Sequence, residues 1–180
     1  MEVKAQAIQN LKDIKQILDD LNITFWLDCG TCLGAYRDKD FCDGDEDDID
    51  LSCWDNHLFL MDEIIKRAEK IGFFIHHKWE LEVALKRNKS KIDLFFNRKN
   101  KQEAYTYLYS GDNIVKTVVV PIKHFEALDR IKFCDEDFFI PGYIEEYLTL
   151  RYGDWKTPIH RSQYSCVNPE QNLLARDTYV

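Results

Sequence analysis

Apolar residues recur at helical spacing at the start of the chain: Val3, Ala7, Ile8, Leu11, Ile14, Leu18 and Leu21, with Lys, Asp and Gln between them. Steps of three and four residues put them on one face, which predicts an amphipathic helix ending near Asn22. Phe25-Trp26-Leu27 predicts a short buried strand, and Cys32 to Arg37 a brief helix after a turn at Gly30-Thr31. An acidic loop runs from Asp38 to Asp47. From Asp48 the alternation is strict, with Asp48, Asp50 and Ser52 on one face and Ile49, Leu51 and Cys53 on the other. That pattern is a half-buried strand carrying carboxylates on its open face.

Farther along, Leu58, Met61, Ile64, Ile65, Ala68 and Ile71 predict a second amphipathic helix, closed by Gly72. Strands are expected at 73–75, and at Leu81–Arg87 and Lys91–Phe96 around the turn Asn88-Lys89-Ser90. Two more are expected at 105–109 and 114–120. Pro121 to Leu128 reads as a turn or short helix, and 131–133 with 138–140 as a small hairpin. Pro141 opens a helix to Tyr152 that stops at Gly153, and the tail after Pro158 is polar and irregular. This order implies an α+β fold, a mixed β-sheet flanked by helices with a short C-terminal helical segment. A length of 180 residues, with 4 Pro and 7 Gly, fits a single domain over 1–180.

Charge narrows the function. A formal net charge of -8 argues against broad binding of nucleic acid or anionic lipid, which needs a basic face. It also means that any phosphate handled here meets cations supplied locally, by Lys, Arg or metal. No stretch reads as a signal peptide or as the ~18 apolar residues of a membrane span, so a cytoplasmic location without a membrane span is expected. The cysteines at 29, 32, 42, 53, 134 and 166 then read as reduced thiols. Cys29 and Cys32 form a C-x-x-C without a second pair at zinc-site spacing. His57, His76, His77, His124 and His160 are scattered, with no metal or triad spacing among them.

The candidate chemistry lies where the acidic loop runs into the alternating strand. Asp48 and Asp50 project from the same face, about 6–7 Å apart along the strand. Two such carboxylates raise each other's pKa unless a cation sits between them. A hard divalent ion answers that repulsion, and Mg²⁺ suits phosphate chemistry, with Mn²⁺ the alternative. Asp93 stands among large apolar residues, where a lone charge is expensive. Either it joins Asp48 and Asp50 from a neighbouring strand, or it forms a buried salt bridge to Lys91 or Arg87. A calcium loop fails, because counting from Asp43 or from Asp38 puts neither Gly sixth nor Glu twelfth. Gly30-Thr31, between a strand and a helix, offers backbone N–H groups to a phosphate, with Arg37 and Lys39 nearby as cations.

Four stretches in order resemble the LicD/fukutin family: Phe25 to Arg37, Asp47-Asp48-Ile49-Asp50-Leu51, Lys91-Ile92-Asp93-Leu94-Phe95, and Ile140-Pro141 through Glu145-Glu146-Tyr147-Leu148 to Arg151-Tyr152-Gly153-Asp154-Trp155-Lys156-Thr157-Pro158. The resemblance spans roughly residues 20 to 158. It implies a nucleotidyltransferase-type fold and a metal-dependent enzyme. The implied reaction moves a phospho-alcohol group, such as phosphocholine or a polyol phosphate, from a CDP-linked donor to a sugar hydroxyl of a glycan acceptor. By the same carry-over Asp48, Asp50 and Asp93 are the catalytic, metal-binding carboxylates. Gly30 and Thr31 are the nucleotide-phosphate turn, and Arg37 is a phosphate contact. The alternative with the same carboxylate pattern is a nucleotidyltransferase that moves NMP from an NTP to a small-molecule hydroxyl and releases pyrophosphate. The chain departs from the family pattern at Cys29 and Cys32, where a glycine and a leucine are usual, and at Asp43-Gly44-Asp45, where Ile-Pro-Trp is usual. Glu46 replaces a frequent Asp, so the loop that shapes the pocket is expected to differ.

Overall fold

A computed structural model describes residues 2–164 and 173–177; Cys166, expected as a reduced thiol, lies outside the described residues. Helix α1 (Glu2–Asp20) buries Ala7, Leu11, Ile14, Ile17 and Leu18, the face its spacing predicts. Strand β1 (Phe25–Leu27), helix α2 (Cys29–Arg37) and strand β2 (Asp48–Trp54) follow. The second amphipathic stretch divides into a 3-10 turn, Asp55–Leu60, and helix α3 (Met61–Lys70). Strands β3 (Phe74–Trp79), β4 (Glu82–Arg87), β5 (Ser90–Lys99), β6 (Glu103–Ser110) and β7 (Asn113–Pro121) come next. Helix α4 (Lys123–Glu126) leads to the hairpin of β8 (Asp129–Phe133) and β9 (Glu136–Ile140), then to α5 (Ile144–Tyr152). In the tail, Arg161–Gln163 forms a 3-10 turn and Ala175–Arg176 a short strand, β10, which lends order to a segment expected to be irregular.

Helix α2 begins at Cys29 rather than Cys32, because Asp28 caps it, so Gly30 and Thr31, expected as a turn before the helix, lie in its first turn. Two further boundaries differ from expectation for local reasons. Helix α5 begins at Ile144 rather than at Pro141, because the chain first turns through Tyr143 at φ 53°, a left-handed residue no helix can include. The Gly142 N–H donates to the carbonyl of His124, and a side chain at 142 would collide with the Ala127 backbone. Strand β3 runs on to Trp79 because β4 pairs with it residue by residue, with one bulge between Ile75 and His77.

The main sheet has the order β3-β4-β5-β2-β1-β9-β8, in which β2–β5 and β1–β9 are parallel pairs and the rest antiparallel. Along β5, residues 91–95 lie between β2 and β4, while Arg98 and Lys99 leave them to pair with β6. One strand thus belongs to two sheets, the second being β5-β6-β7-β10. Helices α1 and α3 cover the back of the main sheet over Ile49, Leu51, Val83, Leu85, Ile92, Leu94 and Phe96, all nearly or wholly buried. Each such side chain contributes about 1.5–3 kcal/mol of burial, which fixes the register and with it the opposite face. On that front face a second core joins Trp26, Leu33, Val118, Val120, Phe125 and Tyr147.

Five described cysteines, at 29, 32, 42, 53 and 134, are in no disulfide. Among the described residues no helix is long and apolar enough to cross a membrane.

Candidate active site

Parallel pairing of β2 and β5 places Asp48 beside Lys91, and Asp50 beside Asp93. Ile49, Leu51, Ile92 and Leu94 are held in the back core, so the alternate residues Asp48, Asp50, Lys91 and Asp93 share the front face. One carboxylate oxygen from each of Asp48, Asp50 and Asp93 lies within 4.8 Å of the others. These are the three aspartates expected to converge, and the fold brings them together. Arg87, a possible partner of Asp93, instead binds Asp13 and Asn10 behind the sheet.

The electrostatics record the crowding. Burial pushes the Asp50 carboxyl well up, and Asp48, Asp93 and Asp45 push it further. Burial raises Asp93 to about 7 against the pull of Lys91. Burial also works against the charge on Asp48, but Lys91 and Arg161 outweigh it and hold that carboxyl below its ordinary value. Lys91 Nζ lies 3.0 Å from Asp48 and 2.7 Å from Asp93, and these two raise its pKa although burial opposes the charge. Arg161, from the tail, donates to both Asp45 and Asp48. Asp93 Oδ1 remains buried with no hydrogen-bond partner among the described residues. Four close aspartates against two cations, with an unpartnered carboxylate oxygen, fit a hard divalent ion held by oxygen ligands.

Helix α2 seats this cluster. Asp28 caps its first turn by accepting the Cys29 N–H, and Cys29 has φ 45°, a region that favours glycine. The departure from the family glycine at Cys29 therefore falls on a residue whose backbone explains the usual choice. Arg151 Nη2 donates to the Cys29 sulfur at 2.8 Å. Gly30 donates its N–H to Asp50 Oδ2 at 3.1 Å, and any side chain at 30 would collide with the Asp45 carboxylate. Thr31 is buried, and its hydroxyl accepts the Asp50 N–H at 2.9 Å. Both residues of the turn thus hold Asp50 from two sides. Arg37 stands at the pocket wall with its guanidinium given to Asp38, to the carbonyl of Trp155 and to the Cys42 sulfur. Lys39 bonds the Tyr36 carbonyl.

The aspartates line a cavity of about 470 Å³, within the range of small-ligand sites. Its other walls are Leu33, Leu108, Val118 and Phe125 on one side, and Trp79 and Tyr109, stacked at 4.3 Å, on another. Sequence reasoning missed Asp45 and Arg161 as site residues. Asp45 stands in the loop that departs from the family pattern, where burial raises it to about 6. Arg161 arrives from 113 residues beyond Asp48, and no spacing rule signals such a contact.

The family model described as "LicD/FKTN/FKRP, nucleotidyltransferase domain" matches residues 22–143. Ribitol-5-phosphate transferase FKTN of Mus musculus is 29% identical over 175 residues, covering 88% of this chain and 35% of its own length. The Homo sapiens protein of the same name is 28% identical over 172 residues, with 87% and 34% covered. An uncharacterized protein of Rickettsia prowazekii (strain Madrid E) is 25% identical over 148 residues, 82% of this chain and 54% of its own. The chain spans about a third of the two transferases it matches. Among solved structures, the lincosamide antibiotic adenylyltransferase LnuA shares the fold, with a TM-score of 0.51 and 18% identity over 78% of this chain and 83% of that one. With 22–143 matched and the aspartates of β2 and β5 gathered beside α2, the chain belongs to the LicD/FKTN/FKRP nucleotidyltransferase-domain family.

Proposed function

We propose that this chain is a metal-dependent enzyme that transfers a phospho-alcohol group from a CDP-activated donor to a sugar hydroxyl of a glycan. The observation that carries the reading is the convergence of Asp48, Asp50 and Asp93, one oxygen of each within 4.8 Å of the others, on the floor of a cavity. Family membership supports the same class of reaction, and the likeness to ribitol-5-phosphate transferases favours a polyol phosphate as cargo.

Asp48, Asp50 and Asp93 would hold Mg²⁺ or Mn²⁺. Such an ion, when bound, neutralises charge on the donor phosphates and on the leaving nucleotide. The protein supplies the rest. Asp50 is fixed by the Gly30 N–H and the Thr31 hydroxyl, so it enters the reaction already oriented. Asp93, beside Asp50 on the cavity floor, either shares that ion or, where its carboxylate is not given to the ion, accepts the proton of the attacking hydroxyl. Lys91, Arg161 and Arg37 are cations on the cavity lining available to a donor phosphate, with Gly30 beside them, whereas Thr31 is buried off the lining and acts only through its bond to Asp50. Attack on the distal phosphorus makes the new oxygen–phosphorus bond as the bond to CMP breaks, and CMP leaves.

The test is a panel of CDP-linked polyol and choline donors with sugar acceptors, scored for CMP with and without Mg²⁺. Metal-dependent CMP release is the expected result. Pyrophosphate from an NTP, with no CMP from any CDP donor, would instead identify a nucleotidyltransferase.

A further inference from the structure

The front of the main sheet carries a second group of metal-binding side chains, on the far side of Asp93 from Asp50. Register sets His77 of β3 opposite Ala84 of β4, and Ala84 opposite Asp93 of β5. Ala84 is wholly buried and bears only a methyl group, which leaves room above it for the longer side chains on either side. Glu82, two residues along β4, faces the same way. His77 Nε2 lies 2.7 Å from Glu82 Oε1, and one ligand atom from each of His77, Glu82 and Asp93 lies within 4.8 Å of the others.

Two further observations point to a ligand here. Glu82 and Asp93 are only 5% and 6% exposed, so two carboxylates are buried beside one imidazole. Lys91 binds Asp93 Oδ2, yet Oδ1 is buried without a hydrogen-bond partner among the described residues. An ion pair between His77 and Glu82 accounts for Glu82 alone and leaves that oxygen unanswered. The imidazole is also held in place. Its ring stacks on Trp79 at 3.7 Å, and Trp79 stacks on Tyr109.

We propose that His77, Glu82 and Asp93 form a site for a divalent transition-metal cation such as Zn²⁺ or Mn²⁺, next to the all-oxygen aspartate site and sharing Asp93 with it. An imidazole nitrogen with two carboxylates selects for such ions, whereas Mg²⁺ prefers oxygen ligands and water. The site rests on these three side chains and holds whatever reaction the cavity performs.

Mn²⁺ alone, added to the whole chain, tests it. Equilibrium dialysis should count two ions per chain, and pulsed electron paramagnetic resonance should show coupling of Mn²⁺ to an imidazole nitrogen. His77→Gln, which keeps a hydrogen-bonding group near Glu82, should drop the count to one and abolish the coupling. Asp50→Asn should also lower the count but leave the coupling intact, which separates the two sites. Absence of nitrogen coupling in the unaltered protein overturns the proposal, even if the variants fail to fold. Coupling that persists in folded His77→Gln overturns it as well.

Discussion

Lys91 and Asp93 stand two residues apart on one face of β5, and the ammonium of the first holds the carboxylate of the second at 2.7 Å. The same ammonium reaches Asp48 at 3.0 Å. A fixed cation therefore partly neutralises the aspartate cluster before any diffusible ion arrives, and the remaining imbalance sets how the site responds to pH and substitution.

Asp93, near 7, and Asp45, near 6, both have folded-state values above the ordinary 3.8. A carboxyl raised in the fold binds protons preferentially when folded, so its contribution to stability falls as pH rises from about 4 to about 7. His57 and His76, which burial lowers, act with the opposite sign just below their ordinary 6.5. Comparison with Asp93→Asn isolates the carboxyl. In urea unfolding of the metal-free protein, the unaltered chain should lose stability relative to Asp93→Asn between about pH 5 and 8. A relative gain over that range would contradict the assignment.

Asp50→Asn should separate catalysis from folding. The amide oxygen can still accept the Gly30 N–H, while the like-charge repulsion from Asp48 and Asp93 disappears. Transfer should fall by about 10³-fold or more, as expected when a group that stabilises transition-state charge is lost. Without metal, the melting temperature at mildly alkaline pH should hold or rise. CMP release at the unaltered rate from this variant would remove Asp50 from the mechanism.

Arg161→Ala should tighten the binding of Mg²⁺ in the absence of donor, because Arg161 competes for Asp48. Its side chain is 41% exposed, so solvent screens the pair. The expected gain is about two- to fivefold, the range that screened ion pairs support. Isothermal titration with Mg²⁺ alone reads it directly, and weaker binding would mean that Arg161 organises the carboxylates instead of competing for them.

Tyr147→Phe should destabilise the fold by about 1–3 kcal/mol, since a buried hydrogen-bonded hydroxyl is lost. The Tyr147 hydroxyl donates to Asp28 and accepts from Arg151 Nη1, and both partners are buried. Asp28 retains the Cys29 N–H and the Ser52 hydroxyl, so the loss should be partial. Urea unfolding measures it, and an unchanged midpoint would show that the remaining bonds suffice.

Legibility in the sequence followed the range of each interaction. Alternation at Asp48–Cys53 assigned faces correctly, because Ile49, Leu51 and Cys53 are wholly buried on one side, and at Lys91–Phe96 the lone charge of Asp93 among large apolar residues marked the second strand. The meeting of Asp50 with Asp93 then needed only that the two strands be neighbours, which the parallel pairing provides. His77 and Trp79 escaped notice because β3 is half exposed and presents no clean alternation, and its hairpin turn at 80–81 contains neither Gly nor Pro. Arg161 and Asp45 meet through loops, where side-chain contacts depend on the completed fold rather than on local period. The resemblance implied phosphate contacts for Gly30, Thr31 and Arg37; Gly30 and Arg37 do line the cavity, but Thr31 is buried off it, and all three are occupied by internal bonds that no motif announces.

Strand β5 carries Lys91 and Asp93 on its first half and roots the β6–β7 hairpin on its last two residues. Floor and overhanging wall are therefore one continuous piece of hydrogen-bonded chain, and the hairpin cannot swing away without pulling on the strand that presents Asp93. By contrast, Asp43, Ile159, Arg161 and Tyr164 border the cavity outside any regular strand or α-helix, held by no sheet ladder. A bulkier occupant would therefore meet the acidic loop and the tail as the part of the lining that gives, while the strand-borne aspartates keep their places.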